Sequence, residues 1–203
     1  MKTKEKILLK SLELFNEEGL KEVTLRQIAS SLGMSQGNLN YHFKTKSDIV
    51  SELYYKLVSA MDHEMNQLSS ERPILSFLYE SALISMNTLF EYRFITRDLY
   101  LVLSGDPELK AHYLQLQLLR KQQYLYVFEQ LTKEGLMRKQ ELDGEYDRLY
   151  ERMNILGDNW INAADFFLKE RGGKVSHYHR VLFEMIYPYL TTSGKRQYQE
   201  LLK

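Results

Sequence analysis

The sequence predicts an all-α protein: an N-terminal three-helix unit containing a helix-turn-helix, followed by a larger helical bundle. Three observations predict it. Apolar residues recur every three or four positions along almost the whole chain, the period of a helix with one face turned inward. No run alternates apolar and polar residues between turn dipeptides, so strands are not expected. Only 3 prolines and 10 glycines among 203 residues leave little material for the many turns of a β-sandwich or for a disordered linker.

The first helix is expected from about Thr3 to Glu18, with Ile7, Leu8, Ser11, Leu12 and Phe15 on one face and Gly19 ending it. Thr24 followed three residues later by Gln27 forms a capping box, so a second helix should run from Leu25 to Leu32 and close at Gly33. Ser35 is placed to cap a third, Gln36 to Phe43, and Ser47 a fourth starting at Asp48 and ending near Arg72-Pro73. Next come a helix over Pro73–Tyr92 and a segment around Phe94–Leu103; then Gly105-Asp106-Pro107 breaks the chain and starts a new helix. That helix, Pro107 to about Glu134, carries two apolar stripes, one with Leu116 and Leu119 and one with Leu114 and Leu118, which predicts burial in the middle of a bundle. Two long helices follow, Glu145–Glu170 and, after Gly172-Gly173, Ser176–Leu190, and then a short terminal helix over Thr191–Lys203. The expected domain limits are 1–47 for the helix-turn-helix unit and 48–203 for the bundle.

Composition narrows the function classes. The chain has no cysteine, which excludes disulfides and thiolate metal sites and fits a cytoplasmic protein. The N-terminal segment is basic, but Lys, Ser and Glu interrupt its apolar residues, so it does not read as a signal peptide. No stretch approaches the roughly 18 apolar residues of a membrane span. The charge balance is zero overall but uneven: residues 1–47 hold eight Lys/Arg against five Asp/Glu, and the rest of the chain is acidic by the same margin. A basic head on an acidic body suits contact with a polyanion at one end. His63-Glu64 lacks the second histidine of a zinc helix, and no phosphate loop, nucleophile elbow or Ser-His-Asp order is present. Neither catalysis, a metal nor a cofactor is expected.

Residues 24–43, TLRQIASSLGMSQGNLNYHF, meet the demands of a helix-turn-helix. Small Ala29 sits where the helices touch, Gly33 supplies the turn, and Ile28, Leu32, Met34, Leu39 and Phe43 fall on the inner side. The outer side of the second helix keeps Gln36, Gly37, Asn38, Asn40, Tyr41 and His42. It carries hydrogen-bonding and aromatic groups and no acid, the character of a helix laid in a major groove.

These features resemble the tetracycline-repressor (TetR) family of bacterial regulators. The resemblance rests on Thr24, Ile28-Ala29, Gly33-Met34-Ser35, Tyr41-His42-Phe43 and Lys46, in order across residues 5–55, while the rest matches in length and helical content. One departure is Asn40, where the family usually has a tyrosine that touches phosphate; an asparagine suits either an adenine edge or a phosphate, and the residue types leave both open. The resemblance implies contacts to double-stranded DNA from Thr24, Arg26 and Ser35 to phosphates, from Gln36, Asn38 and Asn40 to bases, and from Tyr41, His42, Lys44 and Lys46 to the flanking backbone. Each phosphate-bound lysine would add about 0.9 to the slope of log affinity against log salt.

The resemblance also implies a homodimer formed by the last two long helices, with Leu156, Trp160, Phe167, Leu182, Met185 and Tyr189 as interface candidates. It implies a small-molecule effector among the C-terminal helices, for which Tyr92, Phe94, Tyr100, Tyr126 and Trp160 are the aromatic candidates. Arg93, Arg97 and Arg120 are cations available to an acidic ligand, although helix-surface arginines are usually solvated. Core packing is the competing reading for each aromatic. For the whole chain the competing readings are a helical module that binds protein, and a DNA-binding dimer without an effector.

Overall fold

The computed structural model describes residues 2–68, 72–168 and 173–203. Among these residues the chain forms α1 (Thr3–Glu18), α2 (Leu25–Ser31), α3 (Gln36–His42), α4 (Lys46–Asn66), α5 (Ile74–Glu91), α6 (Arg93–Arg97), α7 (Leu99–Ser104), α8 (Pro107–Lys133), α9 (Glu145–Phe167), α10 (Lys174–Glu184) and α11 (Thr192–Leu201). Extended pairing among them is limited to a single bridge between Met137 and Leu190. No described helix is long and apolar enough to cross a membrane.

The chain divides into two compact units: Met1–Ala60 with Glu91–Tyr113, and Met61–Phe90 with Leu114–Lys203. The N-terminal unit is therefore larger than the 1–47 expected, and it is discontinuous. Its α1 explains why. Phe15 is fully buried and its ring lies 5.1 Å from that of Phe94 in α6. Asn16, at the end of the same helix, donates through Nδ2 to Glu91 O at 2.7 Å and accepts through Oδ1 from Phe94 N at 3.0 Å. Arg97 Nη1 then donates to Asn16 O at 2.8 Å, closing an orphan carbonyl of α1. One buried asparagine thus joins two segments 75 residues apart.

The C-terminal unit surrounds a core drawn from α5, α8, α9 and α10, with Leu78, Phe128, Leu149, Trp160 and Phe183 among its buried members. The chain after α8 is tied to the C-terminus. Thr191 caps α11 through Gly194 N, and its own N and Oγ1 both reach Leu136 O, at 3.0 and 3.3 Å. Arg138 holds Glu145 with two bonds of 2.9 and 2.8 Å, which draws that carboxyl down to about 2 and fixes the turn into α9.

Four expectations are corrected here. The fourth helix starts at Lys46 rather than Asp48, because Thr45, not Ser47, makes the reciprocal cap: Thr45 N donates to Asp48 Oδ2 at 2.8 Å and Asp48 N to Thr45 Oγ1 at 3.1 Å. The segment Phe94–Leu103 becomes two short helices that meet at Asp98. The helix expected to reach Leu190 ends at Glu184, ahead of Pro188, which sits in a 3₁₀ turn over Tyr187–Tyr189. And α8 is not enclosed on all sides: Leu109, Phe128 and Leu131 are buried, but Leu114, Leu118, Leu119 and Tyr126 are exposed. The expected extension of α9 to Glu170, and Gly172 of the following break, lie outside the described residues.

Candidate nucleic-acid interface

Seven-residue helices are too short to persist alone, so the α2–α3 pair is held by caps and by packing. Thr24 Oγ1 accepts from Gln27 N at 3.2 Å and donates to Gln27 Oε1 at 2.8 Å, while Thr24 N donates to the same oxygen at 2.8 Å. Ser35 Oγ accepts from Asn38 N at 3.2 Å. Between the helices Gly33 has φ 64°, a left-handed conformation that costs other residues about 1–2 kcal/mol. This turn lets Gly33 N and Met34 N return to Ser30 O and Ala29 O, both at 3.0 Å. Ile28, Ala29, Leu39 and Phe43 are buried beneath, while Leu32 and Met34 are half-buried.

With Leu39 0% exposed, α3 turns its opposite side to solvent: Gln36, Gly37, Asn38, Asn40 and Tyr41 are all exposed, Tyr41 at 85%. Tyr41 stands edge-on to the half-buried His42 ring, with centroids 5.2 Å apart. Arg26, Ser35 and Lys44 are also exposed. The face therefore offers amides, a phenol and cations, without a carboxylate on α3. Such groups can donate to phosphates and pair in bidentate fashion with base edges.

Two of the expected contacts look different in the structure. The hydroxyl of Thr24 is engaged as donor and acceptor within its own cap. Lys46 Nζ donates to Leu20 O at 2.7 Å, to Val23 O at 3.0 Å and to Lys21 O at 3.5 Å. An ammonium has three protons, and all three are directed at the loop between α1 and α2. Lys46 is a strut that braces the start of α2 rather than a group reaching outward. Lys46→Met is accordingly expected to lower stability by about 1–3 kcal/mol. The salt dependence of duplex binding should stay at the wild-type slope; a slope flattened by about 0.9 per bound chain would return Lys46 to the DNA contact.

Sequence reasoning missed the Thr45–Asp48 box, whose T-x-x-D spacing was visible beside the competing Ser47. It also missed Asn16, because a lone asparagine in a helix carries no local signal.

The aromatic and dimer candidates separate by burial. Phe94 is core of the N-terminal unit against Phe15, Tyr92 is half-buried there, and Tyr100 is exposed. Tyr126 is exposed on α8, and Trp160 is 0% exposed in the C-terminal core. Within neither unit do these five converge on one site. Of the dimer candidates, Trp160, Leu182 and Tyr189 are already enclosed by their own chain, and Leu156 and Met185 are half-buried against the same core. Phe167 alone of the six is exposed.

Capped short helices, a glycine turn and an acid-free outer face define a helix-turn-helix protein of the DNA-binding class. Residues 7–53 match the family model of bacterial regulatory proteins of the tetR family, and residues 57–198 match that of the TetR bacterial transcriptional repressor. The chain belongs to the TetR family and is a DNA-binding transcriptional regulator. It is similar to the probable HTH-type transcriptional regulator YttP of Bacillus subtilis (strain 168), 23% identical over 147 residues, 69% of this chain and 68% of that protein. The HTH-type transcriptional regulator SAUSA300_2515 of Staphylococcus aureus (strain USA300) is 30% identical over 81 residues, 40% of this chain and 42% of its own length. Among solved structures, a TetR-family regulator from Marinobacter aquaeolei VT8 superposes with TM-score 0.87 at 28% identity, covering 99% of this chain and 98% of that one. A protein from Saccharomonospora viridis in complex with choline superposes with TM-score 0.72 at 22% identity, covering 92% and 96%.

Proposed function

We propose that the protein works as a homodimeric repressor that holds a near-palindromic operator and is released from it by a small molecule. The observation that carries the DNA reading is the amide-lined outer face of α3 above the buried Leu39. Gln36, Asn38 and Asn40 read bases, Arg26, Ser35, Tyr41, His42 and Lys44 set the position on the backbone, and Thr24 acts through its cap. A two-fold axis relates the two α3 helices, so half-sites repeat at about 34–36 Å or a multiple of it.

For the dimer contact, the supporting feature is the apolar surface that α9 leaves outward: Ile155, Phe166 and Phe167 are exposed large hydrophobic side chains on one helix. A partner copy that covers them removes a cost that a lone chain bears in water. The effector reading is supported by the choline-bound protein of the same fold. Release requires the effector to bind the DNA-free form more tightly than the bound one, by the factor in which DNA affinity falls.

Selection of bound sequences from random duplexes tests the core of this reading, with an inverted repeat as the expected product. Within the selected site, Gln36→Ala and Asn38→Ala should each relax the preference at one or two base pairs per half-site, by about 1–3 kcal/mol, with the salt slope unchanged. Enrichment of no sequence at low salt would contradict the assignment.

A further inference from the structure

Inside the C-terminal unit, α8 and α9 bring together a group of polar side chains in which a buried donor is left unsatisfied. Gln117 Nε2 is buried and has no hydrogen-bond partner among the described residues. One turn further along α8, Arg120 Nη2 donates to Met61 Sδ at 3.0 Å. A thioether is a weak acceptor, so this half-buried guanidinium keeps N–H groups for water or a further acceptor. Facing both is Tyr150 of α9, whose hydroxyl makes long contacts among the described residues, 3.3 Å to Gln117 O and 3.4 Å to Gln117 Oε1 and Asn154 Oδ1. Asp158, a carboxylate of the same helix, accepts from Asn154 Nδ2 at 3.2 Å.

The surroundings are apolar and aromatic. Met61 is buried, and the rings of Tyr124 and Tyr150 lie 5.5 Å apart. Burial pushes both phenols up from their ordinary value, and in both the charge of Arg120 pulls the other way. Burying a donor without a partner costs about 1–3 kcal/mol, and a charged group more. A carboxylate supplies two oxygens with about four acceptor sites and a charge of the required sign.

We propose that Gln117 and Arg120 receive the carboxylate of an amphipathic organic acid, whose apolar body lies against Met61, Tyr124 and Tyr150. This rests on the reading above that a small molecule releases the protein from its operator, and it assigns the chemical class of that molecule.

The test uses the full-length protein and three probes of equal chain length: octanoate, octanamide and octylamine. Thermal unfolding and the anisotropy of a labelled operator duplex are followed together. Octanoate is expected to raise the unfolding midpoint and weaken duplex binding, while octanamide and octylamine do neither at the same concentration. Arg120→Met should keep wild-type duplex affinity and raise the half-effective octanoate concentration at least about tenfold, with Arg120→Lys in between. Gln117→Leu removes the unpartnered donor, so it should fold at least as stably as wild type and still respond to octanoate more weakly.

An octanoate response that is equal in wild type and Arg120→Met overturns the assignment of these residues. Release by octylamine or octanamide but not by octanoate overturns the acid class and leaves the effector reading standing. Silence from all three probes, in both midpoint and duplex binding, overturns the acid assignment at this site and leaves the effector reading to other ligand chemistries.

Discussion

Gly194→Ala is expected to destabilise the C-terminal unit by about 3 kcal/mol, at the upper end of the range for overpacking. Helix propensity alone predicts the opposite, since alanine in a helix interior is favoured over glycine by about 1 kcal/mol. The structure decides the sign. A Cβ on Gly194 would stand 2.0 Å from Leu136 O and 3.0 Å from Leu136 C, both backbone atoms. That carbonyl cannot turn aside cheaply, because it also accepts from Thr191 N and Thr191 Oγ1. Relief requires α11 to lift from the segment after α8, and with it goes part of the cover of Tyr198, a buried member of the core. At roughly 2–4 °C per kcal/mol, the unfolding midpoint should fall by about 6–12 °C. A midpoint that stays level or rises would show that α11 does not approach Leu136 this closely.

Trp160→Ala should cost about 3–5 kcal/mol, the largest effect expected of any single truncation in this core. The indole is fully buried, stacked at 5.9 Å on Phe90 and tilted at 5.8 Å against Tyr178. Its Nε1 has no hydrogen-bond partner among the described residues. Trp160→Phe should therefore lose far less, since it keeps an aromatic ring in place and removes an unsatisfied donor. The two variants compared by thermal unfolding separate a core role from an interface role. If Trp160→Ala keeps the wild-type midpoint but sediments as a smaller species than wild type, the residue belongs to a subunit contact after all.

What was legible in the sequence was what short-range chemistry determines. The ends of α1 at Gly19 and of α2 near Gly33, the caps at Thr24 and Ser35, and the outward face of α3 all depend on residues within one or two turns of each other. They read correctly for that reason. The end of α10 was equally local, since Pro188 marks it, but the apolar spacing continuing to Leu190 masked the signal. The split of α6 from α7 at Asp98 had no glycine or proline to announce it.

The rest depended on which surfaces meet in space. The apolar stripes of α8 and α9 say that something covers them, not what. Leu118 turned out exposed and Trp160 enclosed, although both sit in similar helical patterns. Lys46 shows the same limit from the polar side. Its place beside a helix-turn-helix suggests a phosphate contact, and only the position of three carbonyls some 25 residues away reveals a brace.

The split composition of the N-terminal unit bears on any attempt to transplant its specificity. A chimaera that grafts residues 1–60 onto a foreign body would leave out Phe94 and the Glu91 carbonyl, stripping Phe15 of its ring partner and Asn16 of both its bonds. A donor fragment that brings 91–113 along with it keeps these contacts, so the compact reading head is two pieces of chain rather than one.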